Sequence, residues 1–179
     1  VRVPKKNRVG EENDGWSVAK YLLEFERFSM SSVEIRRVLG RVEELARQTR
    51  NDGATLAREP AFMQKLAKLN VDATALEISE QRVLSNLSAG NPPGAASSIQ
   101  KARGSEVQQQ ADILGVEAAA YYANPLQPEA LELGTNRPPV GPELAITLVP
   151  MYLSNRMRTI AGGSSEIQRN IVAKAVLGL

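Results

Sequence analysis

From Asp14 onward, apolar residues recur at three- and four-residue steps, and the pattern runs to about Leu45. Asp14 suits the N-cap of this first helix. Asn51-Asp52-Gly53 marks a loop. A second periodic segment opens at Pro60, a residue fitted to a first helical turn, and closes at Gly90 and Pro92-Pro93-Gly94. The third helix is predicted from Ser97 or Ser98 to Asn124-Pro125. Between Pro125 and Pro142 the chain is rich in Pro and Gly with little periodicity, which reads as a long surface loop. Glu143 to about Thr159 reads as a fourth helix kinked at Pro150. Gly162-Gly163 ends it, and Ser165 opens a short fifth helix that stops at Gly178. At the other end, Val1, Val3 and Val9 bracket a Pro-Lys-Lys-Asn turn and suggest a short extended strand. The expected fold is all-α: a four-helix up-down bundle plus a short C-terminal helix, preceded by a remnant β-strand.

On a helical wheel of the first segment, Trp16, Ala19, Leu23, Met30 and Val33 share one face, and Val18, Leu22 and Phe25 widen it. Glu26 falls in the middle of this stripe, whereas Lys20, Glu24, Arg27 and Ser31 collect on the opposite, polar face. A carboxylate among apolar residues is costly to desolvate unless it is partnered or neutral. Such burial would raise its pKa toward the range of a general base. Periodicity alone leaves open a face that meets water at this point, or an Arg from another helix that pairs with Glu26.

The run Thr159 to Asn170 is the most distinctive local pattern. Ser165 and Gln168 read as an S-x-x-Q capping box. The Gly162-Gly163 pair just before it lets a ligand approach the backbone, and the free N–H groups of a helix start suit phosphate or another electron-rich group. An ordinary well-capped helical corner would carry the same pattern.

Composition narrows the chemistry. The 179 residues contain no Cys and no His, which excludes thiol nucleophiles, zinc–thiolate sites, imidazole bases and Ser-His triads; no metal site is expected. Proton transfer near neutral pH then falls to a carboxylate, Lys or Tyr. Twenty-two basic against 20 acidic residues, net +2, do not indicate a nucleic-acid partner. No apolar run approaches the roughly 20 residues of a membrane span, and no signal-peptide pattern opens the chain. A cytoplasmic, membrane-free protein is expected. Arg156, Arg158, Arg169 and Lys174 form a modest basic cluster that either meets a pyrophosphate or is a solvated face. Trp16 and Tyr121-Tyr122 read as core and interface residues.

The segment from Thr159 to Leu179, TIAGGSSEIQRNIVAKAVLGL, closely resembles the C-terminal signature of acyl-CoA dehydrogenases. The opening VRVPKKNRVGEENDGWSVAKYLLEFERFS resembles the same family's passage from its middle β-domain into its first C-terminal helix. The resemblance implies residues 1–13 as the end of that β-domain and residues 14–179 as the helical bundle domain. It implies FAD-dependent α,β-dehydrogenation of an acyl-CoA, in which a carboxylate removes the α-proton and the β-hydrogen leaves as hydride to flavin N5. Electrons then pass to an electron-transfer flavoprotein, and subunits associate as homo- or hetero-oligomers through the bundle.

Many members carry the catalytic Glu in the glycine turn, where this chain has Gly162. Members resembling the isovaleryl- and long-chain-type enzymes place it on the first C-terminal helix in a Glu-Arg pair, here Glu26-Arg27. The resemblance thus implies Glu26 as base, Arg27 and Glu24 near the substrate, Gly162 and Gly163 along the acyl thioester, and Ser164, Ser165, Glu166 and Gln168 toward FAD. The family's Arg-x-x-Phe-Gly and Gln-x-x-Gly-Gly-x-Gly motifs, which grip the adenosine diphosphate of FAD, are missing. The 125–142 loop stands in that region, as in a divergent actinobacterial-type branch. Family subunits are about twice as long, so the chain reads as a C-terminal fragment that binds FAD weakly or not at all and is inactive alone. The alternative within the family is a non-catalytic bundle or dimerisation unit of a heteromeric enzyme.

Overall fold

A computed structural model of the chain describes residues 1–28 and 30–179. Six α-helices follow one another: α1 (Gly15–Glu26), α2 (Ser31–Gln48), α3 (Pro60–Ser88), α4 (Gly94–Ala119), α5 (Leu148–Ser154) and α6 (Ser165–Val172). The all-α expectation holds. The valine-rich lead-in forms no strand and holds only a 3-10 turn at Lys5–Asn7. An isolated strand leaves its ladder groups unpaired, and this segment finds no strand partner among the described residues. The strand pairing found among the described residues is a two-residue antiparallel pair, β1 (Arg50–Asn51) with β2 (Ala54–Thr55), built around the Asp52-Gly53 turn.

The helix expected from Asp14 to Leu45 is two helices. α1 ends at Glu26 with Arg27 as its C-cap, and α2 starts at Ser31. Three serines in the four residues 29–32 weaken helix propensity there, because Ser competes for backbone hydrogen bonds outside helices. The break turns Met30 and Val33 onto another axis, so the single stripe drawn from Trp16 to Val33 does not exist. No residue of α1 is buried, and Trp16 is 69% exposed. Tyr121 is exposed as well, so neither aromatic belongs to the core of this chain.

The core lies where α2 and α3 meet α4. α2 presents Ile35, Val38, Leu39, Val42, Leu45 and Ala46 at helical spacing. α3 buries Phe62, Leu66, Leu69, Ala73, Leu76, Glu80 and Val83 in alternating steps of four and three. Pro60 takes the first position of α3, where its missing N–H has no helical role. α4 starts at Gly94, a few residues before the expected serines, and occupies the centre, with α2, α3, α5 and α6 all packed on it. Small residues make this possible. A side chain at Gly104 would stand 2.8 Å from Ser31 Oγ, and one at Gly115 would stand 3.2 Å from Leu148 Cδ2. Two helices therefore approach the backbone of α4 closely.

The fourth predicted helix is interrupted. Glu143–Ala145 and Asn155–Thr159 are 3-10 turns on either side of α5. Pro150 does not kink a long helix. It sits in the first turn of α5, where backbone N–H groups have no partner within the helix. The 125–142 segment is a loop closed at its neck by Gln127, whose amide accepts from Val140 N–H at 2.7 Å and donates to Val140 C=O at 3.3 Å. After α6 the chain winds into a π-helical turn, Ala173–Leu177, and Gly178 caps it in the left-handed conformation.

Candidate functional site

A cavity of about 200 Å³ opens where the end of α1, the start of α2, the middle of α4 and the glycine turn converge. Glu26 and Arg27 reach it from α1, Ser31 from α2, Lys101 and Ser105 from α4, and Gly162 from the turn. Arg158, from the 3-10 turn after α5, completes the wall. Three of the expected site residues, Glu26, Arg27 and Gly162, therefore meet in one place although they lie at opposite ends of the chain. Glu26 is exposed rather than buried in an apolar stripe, so the desolvation expected from the wheel does not operate in this chain. What marks Glu26 is its surroundings: it is the one carboxylate among the described wall residues, facing Arg27, Lys101 and Arg158. Nε of Arg27 is buried and has no hydrogen-bond partner among the described residues.

Glu24 does not line the cavity. Its carboxylate instead accepts a hydrogen bond from Gly94 N–H at 3.3 Å, at the start of α4. An acidic group there complements the positive end of the helix dipole.

The glycine turn differs from the expected capping box by one residue. Ser164, not Ser165, is the N-cap of α6, and its hydroxyl accepts from Ile167 N–H at 3.4 Å. Ser165 is buried, and its hydroxyl has no partner among the described residues. Gln168 is buried and donates its side-chain amide to the carbonyls of Gly162 and Gly163 at 3.1 and 3.2 Å. Both glycines hold left-handed backbone angles, φ +70° and +90°, and a side chain at Gly163 would strike the Gln168 amide at 2.6 Å. Gln168 is thus a brace for the turn. Glu166, in the first turn of α6, has its carboxyl held below the usual value by its own backbone N–H and then by the Ser164 hydroxyl.

The face of α4 that carries Arg158 into place went unread in the sequence. Lys101 Nζ donates to the Arg158 carbonyl at 2.9 Å, and the Ser105 hydroxyl lies 2.9 Å from the same oxygen. One turn further, the Gln109 amide donates to the carbonyls of Asn155 and Arg156 at 3.0 and 3.2 Å. Further still, buried Asp112 accepts from the side-chain amides of Gln108 and Asn155 at 2.9 and 2.8 Å. Residues 101, 105, 109 and 112 recur at helical spacing, and that polar stripe was the available signal. Burial lowers the Lys101 pKa, with Glu166 opposing, and raises that of Asp112 against its hydrogen bonds.

The four basic residues read as a cluster have separate duties. Arg156 stacks over the Tyr152 ring at 4.4 Å, Arg169 pairs with Glu106, Lys174 is exposed, and Arg158 alone reaches the cavity.

Residues 13–177 match the sequence model of the acyl-CoA dehydrogenase C-terminal domain. The chain belongs to that family. Acyl-CoA dehydrogenase FadE26 of Mycobacterium tuberculosis (strain ATCC 25618 / H37Rv) is 32% identical over 184 residues, an alignment that covers all of this chain and 44% of that protein. The ChsE4-ChsE5 complex from Mycobacterium tuberculosis superposes with a TM-score of 0.79 at 30% identity, over 99% of this chain and 44% of the matched one. PigA with FAD and proline shares the fold, with a TM-score of 0.77 at 17% identity over 99% of this chain and 42% of its own. The domain therefore spans less than half the length of these relatives. No helix among the described residues is long and apolar enough to cross a membrane.

Proposed function

We propose that this chain is the C-terminal helical domain, residues 14–179 with a short lead-in, of an FAD-dependent acyl-CoA dehydrogenase that uses Glu26 as its base. The observation that carries the reading is the meeting of Glu26 with Gly162 in one cavity. A family member without a carboxylate in its glycine turn needs one delivered to the same place from elsewhere. The α1 terminus delivers it.

Glu26 is accessible to substrate, with Arg27, Lys101 and Arg158 along the same wall. Arg27, whose Nε has no partner among the described residues, offers a donor to an electron-rich substrate atom. Gly162 and Gly163 present bare backbone beside that position, so a thioester can lie close to the turn.

The donor set at the start of α6 fits FAD in part. The positive end of the α6 dipole and the adjacent Ser164 suit an electron-rich edge of the cofactor. When bound, FAD supplies the acceptor for the β-hydride. Gln168 and Ser165 are buried and shape the turn beneath it. In this reading the chain supplies one wall of a flavin site, and the domain alone binds FAD weakly or not at all. The electron acceptor of the reduced enzyme is an electron-transfer flavoprotein, the site is cytoplasmic, and the bundle joins like or unlike subunits.

The test is anaerobic addition of acyl-CoA to the complete flavin-loaded subunit. The flavin band bleaches in the wild type, and Glu26→Gln keeps the flavin but does not bleach. Retained turnover in Glu26→Gln would remove the base assignment.

A further inference from the structure

The wheel that singled out Glu26 in α1 points to another carboxylate when applied to α3. Among Phe62, Leu66, Leu69, Ala73, Leu76 and Val83, the remaining position of the stripe is Glu80. Glu80 is fully buried. Its two oxygens are both taken by one residue: Oε1 accepts from Ser32 N–H at 3.1 Å, and Oε2 accepts from the Ser32 hydroxyl. Ser32 is the second residue of α2, so its N–H is one of those a helix cannot satisfy by itself. A carboxylate from another helix thus caps α2, with the favourable sign for the helix dipole.

Next to Ser32 stands Ser31, which lines the cavity and whose side chain rests on the bare backbone of Gly104. The start of α2 is therefore held from two sides, by Glu80 of α3 and by Gly104 of α4. Glu26 and Arg27 lie only a few residues upstream, at the end of α1, and α1 itself has no buried residue to hold it. The place of the Glu26–Arg27 pair depends on where the α1–α2 break is held.

We propose that Glu80 is a positioning residue: by capping α2 at Ser32 it holds the α1–α2 break and so holds Glu26 over the cavity opposite Gly162. The proposal rests on the reading of Glu26 as the base for its consequence in activity, though not for its structural content. A hydrophobic side chain would fill the α3 stripe as well as Glu80 does, but would leave the Ser32 N–H and hydroxyl buried without acceptors.

Glu80→Gln keeps the shape but removes the negative charge that caps α2, and it replaces one acceptor by an NH2 to which the Ser32 hydroxyl can only act as acceptor. In ¹H–¹⁵N spectra of the 179-residue chain, the Ser32 amide should lose hydrogen-exchange protection by at least about tenfold. The Glu26 and Arg27 amide resonances should shift, while those of Glu166 to Val172 in α6 stay in place. In the complete subunit, kcat should fall while KM for acyl-CoA and flavin content hold, and Glu80→Asp should recover part of the loss. Should Glu80→Gln not fold, Ser32→Ala removes one of the two bonds and is read in the same way.

Unmoved Glu26 and Arg27 resonances beside a deprotected Ser32 would overturn the proposal. So would losses of kcat that merely track melting temperature, as in a core control such as Leu69→Ala. Failure of the base reading shows separately: Glu26→Gln would keep turnover, while the resonance shifts in Glu80→Gln would still report the positioning.

Discussion

Asn155 donates its side-chain amide to the buried carboxylate of Asp112 at 2.8 Å, and this bond ties the turn that carries Arg158 to the central helix. Asp112 is 2% exposed, and burial raises its pKa above the ordinary 3.8, offset in part by Asn155, Gln108 and nearby arginines. The folded chain then holds this proton more tightly than the unfolded chain. The stabilisation linked to the group is complete below 3.8 and is lost as pH rises through the elevated folded value. Asp112→Asn abolishes the titration. Urea unfolding across the acid range should show the stability of Asp112→Asn improving relative to wild type as pH rises through that window. Parallel curves would refute the linkage.

Ser164 and Ser165 are neighbours with opposite fates. Ser164→Ala removes the cap of α6 and should lower stability by about 1 kcal/mol. Ser165→Ala removes a buried hydroxyl that has no partner, and should change stability by less than about 1 kcal/mol in either direction. Thermal melts of the two variants decide which serine starts the helix, and the opposite order would restore the capping box read from Ser165.

Two helical glycines give a second contrast. Gly104→Ala places a methyl group within 3 Å of Ser31 and should destabilise by roughly 1–3 kcal/mol. Gly40, in the middle of α2, has nothing within 4 Å of the added atom. Gly40→Ala should stabilise by about 0.5–1 kcal/mol through helix propensity alone. Denaturant midpoints of the two variants should therefore move in opposite directions.

Trp16 is the single tryptophan, and it lies on the exposed side of α1. Its fluorescence in the isolated chain should be red-shifted and open to quenching by acrylamide and iodide. A blue-shifted, protected emission would mean that α1 is covered in solution, for instance by a second copy.

Much of the helical layout could be read from local pattern. α3 kept its expected limits almost to the residue because Pro60 and the Gly90-Pro92-Pro93 run are local stops. The cap of α6, though not its first residue, was misplaced by one position because Ser164 and Ser165 have the same capping chemistry, and only the direction of each hydroxyl separates them. The α1–α2 break was missed because no Gly or Pro marks it. A capping carboxylate 48 positions away, Glu80, holds one side of the break instead.

The sequence by itself determined the family, the helical class and the two segments that meet at the candidate site, because the glycine turn and the Glu-Arg pair are contiguous patterns. Tertiary structure alone decided which carboxylate is buried. Glu26 and Glu80 both stand in apolar stripes on a wheel, yet Glu26 is exposed at the end of a lightly held helix and Glu80 is fully buried against Ser32 of α2. It also decided that α4, a helix rich in polar and small residues, is the centre of the bundle. Its Ser, Gly and Ala let neighbours approach, and its Lys101, Gln109 and Asp112 are answered by backbone and side-chain groups that only folding brings within reach. Periodicity records which face a helix can offer, whereas burial depends on how many other helices arrive there.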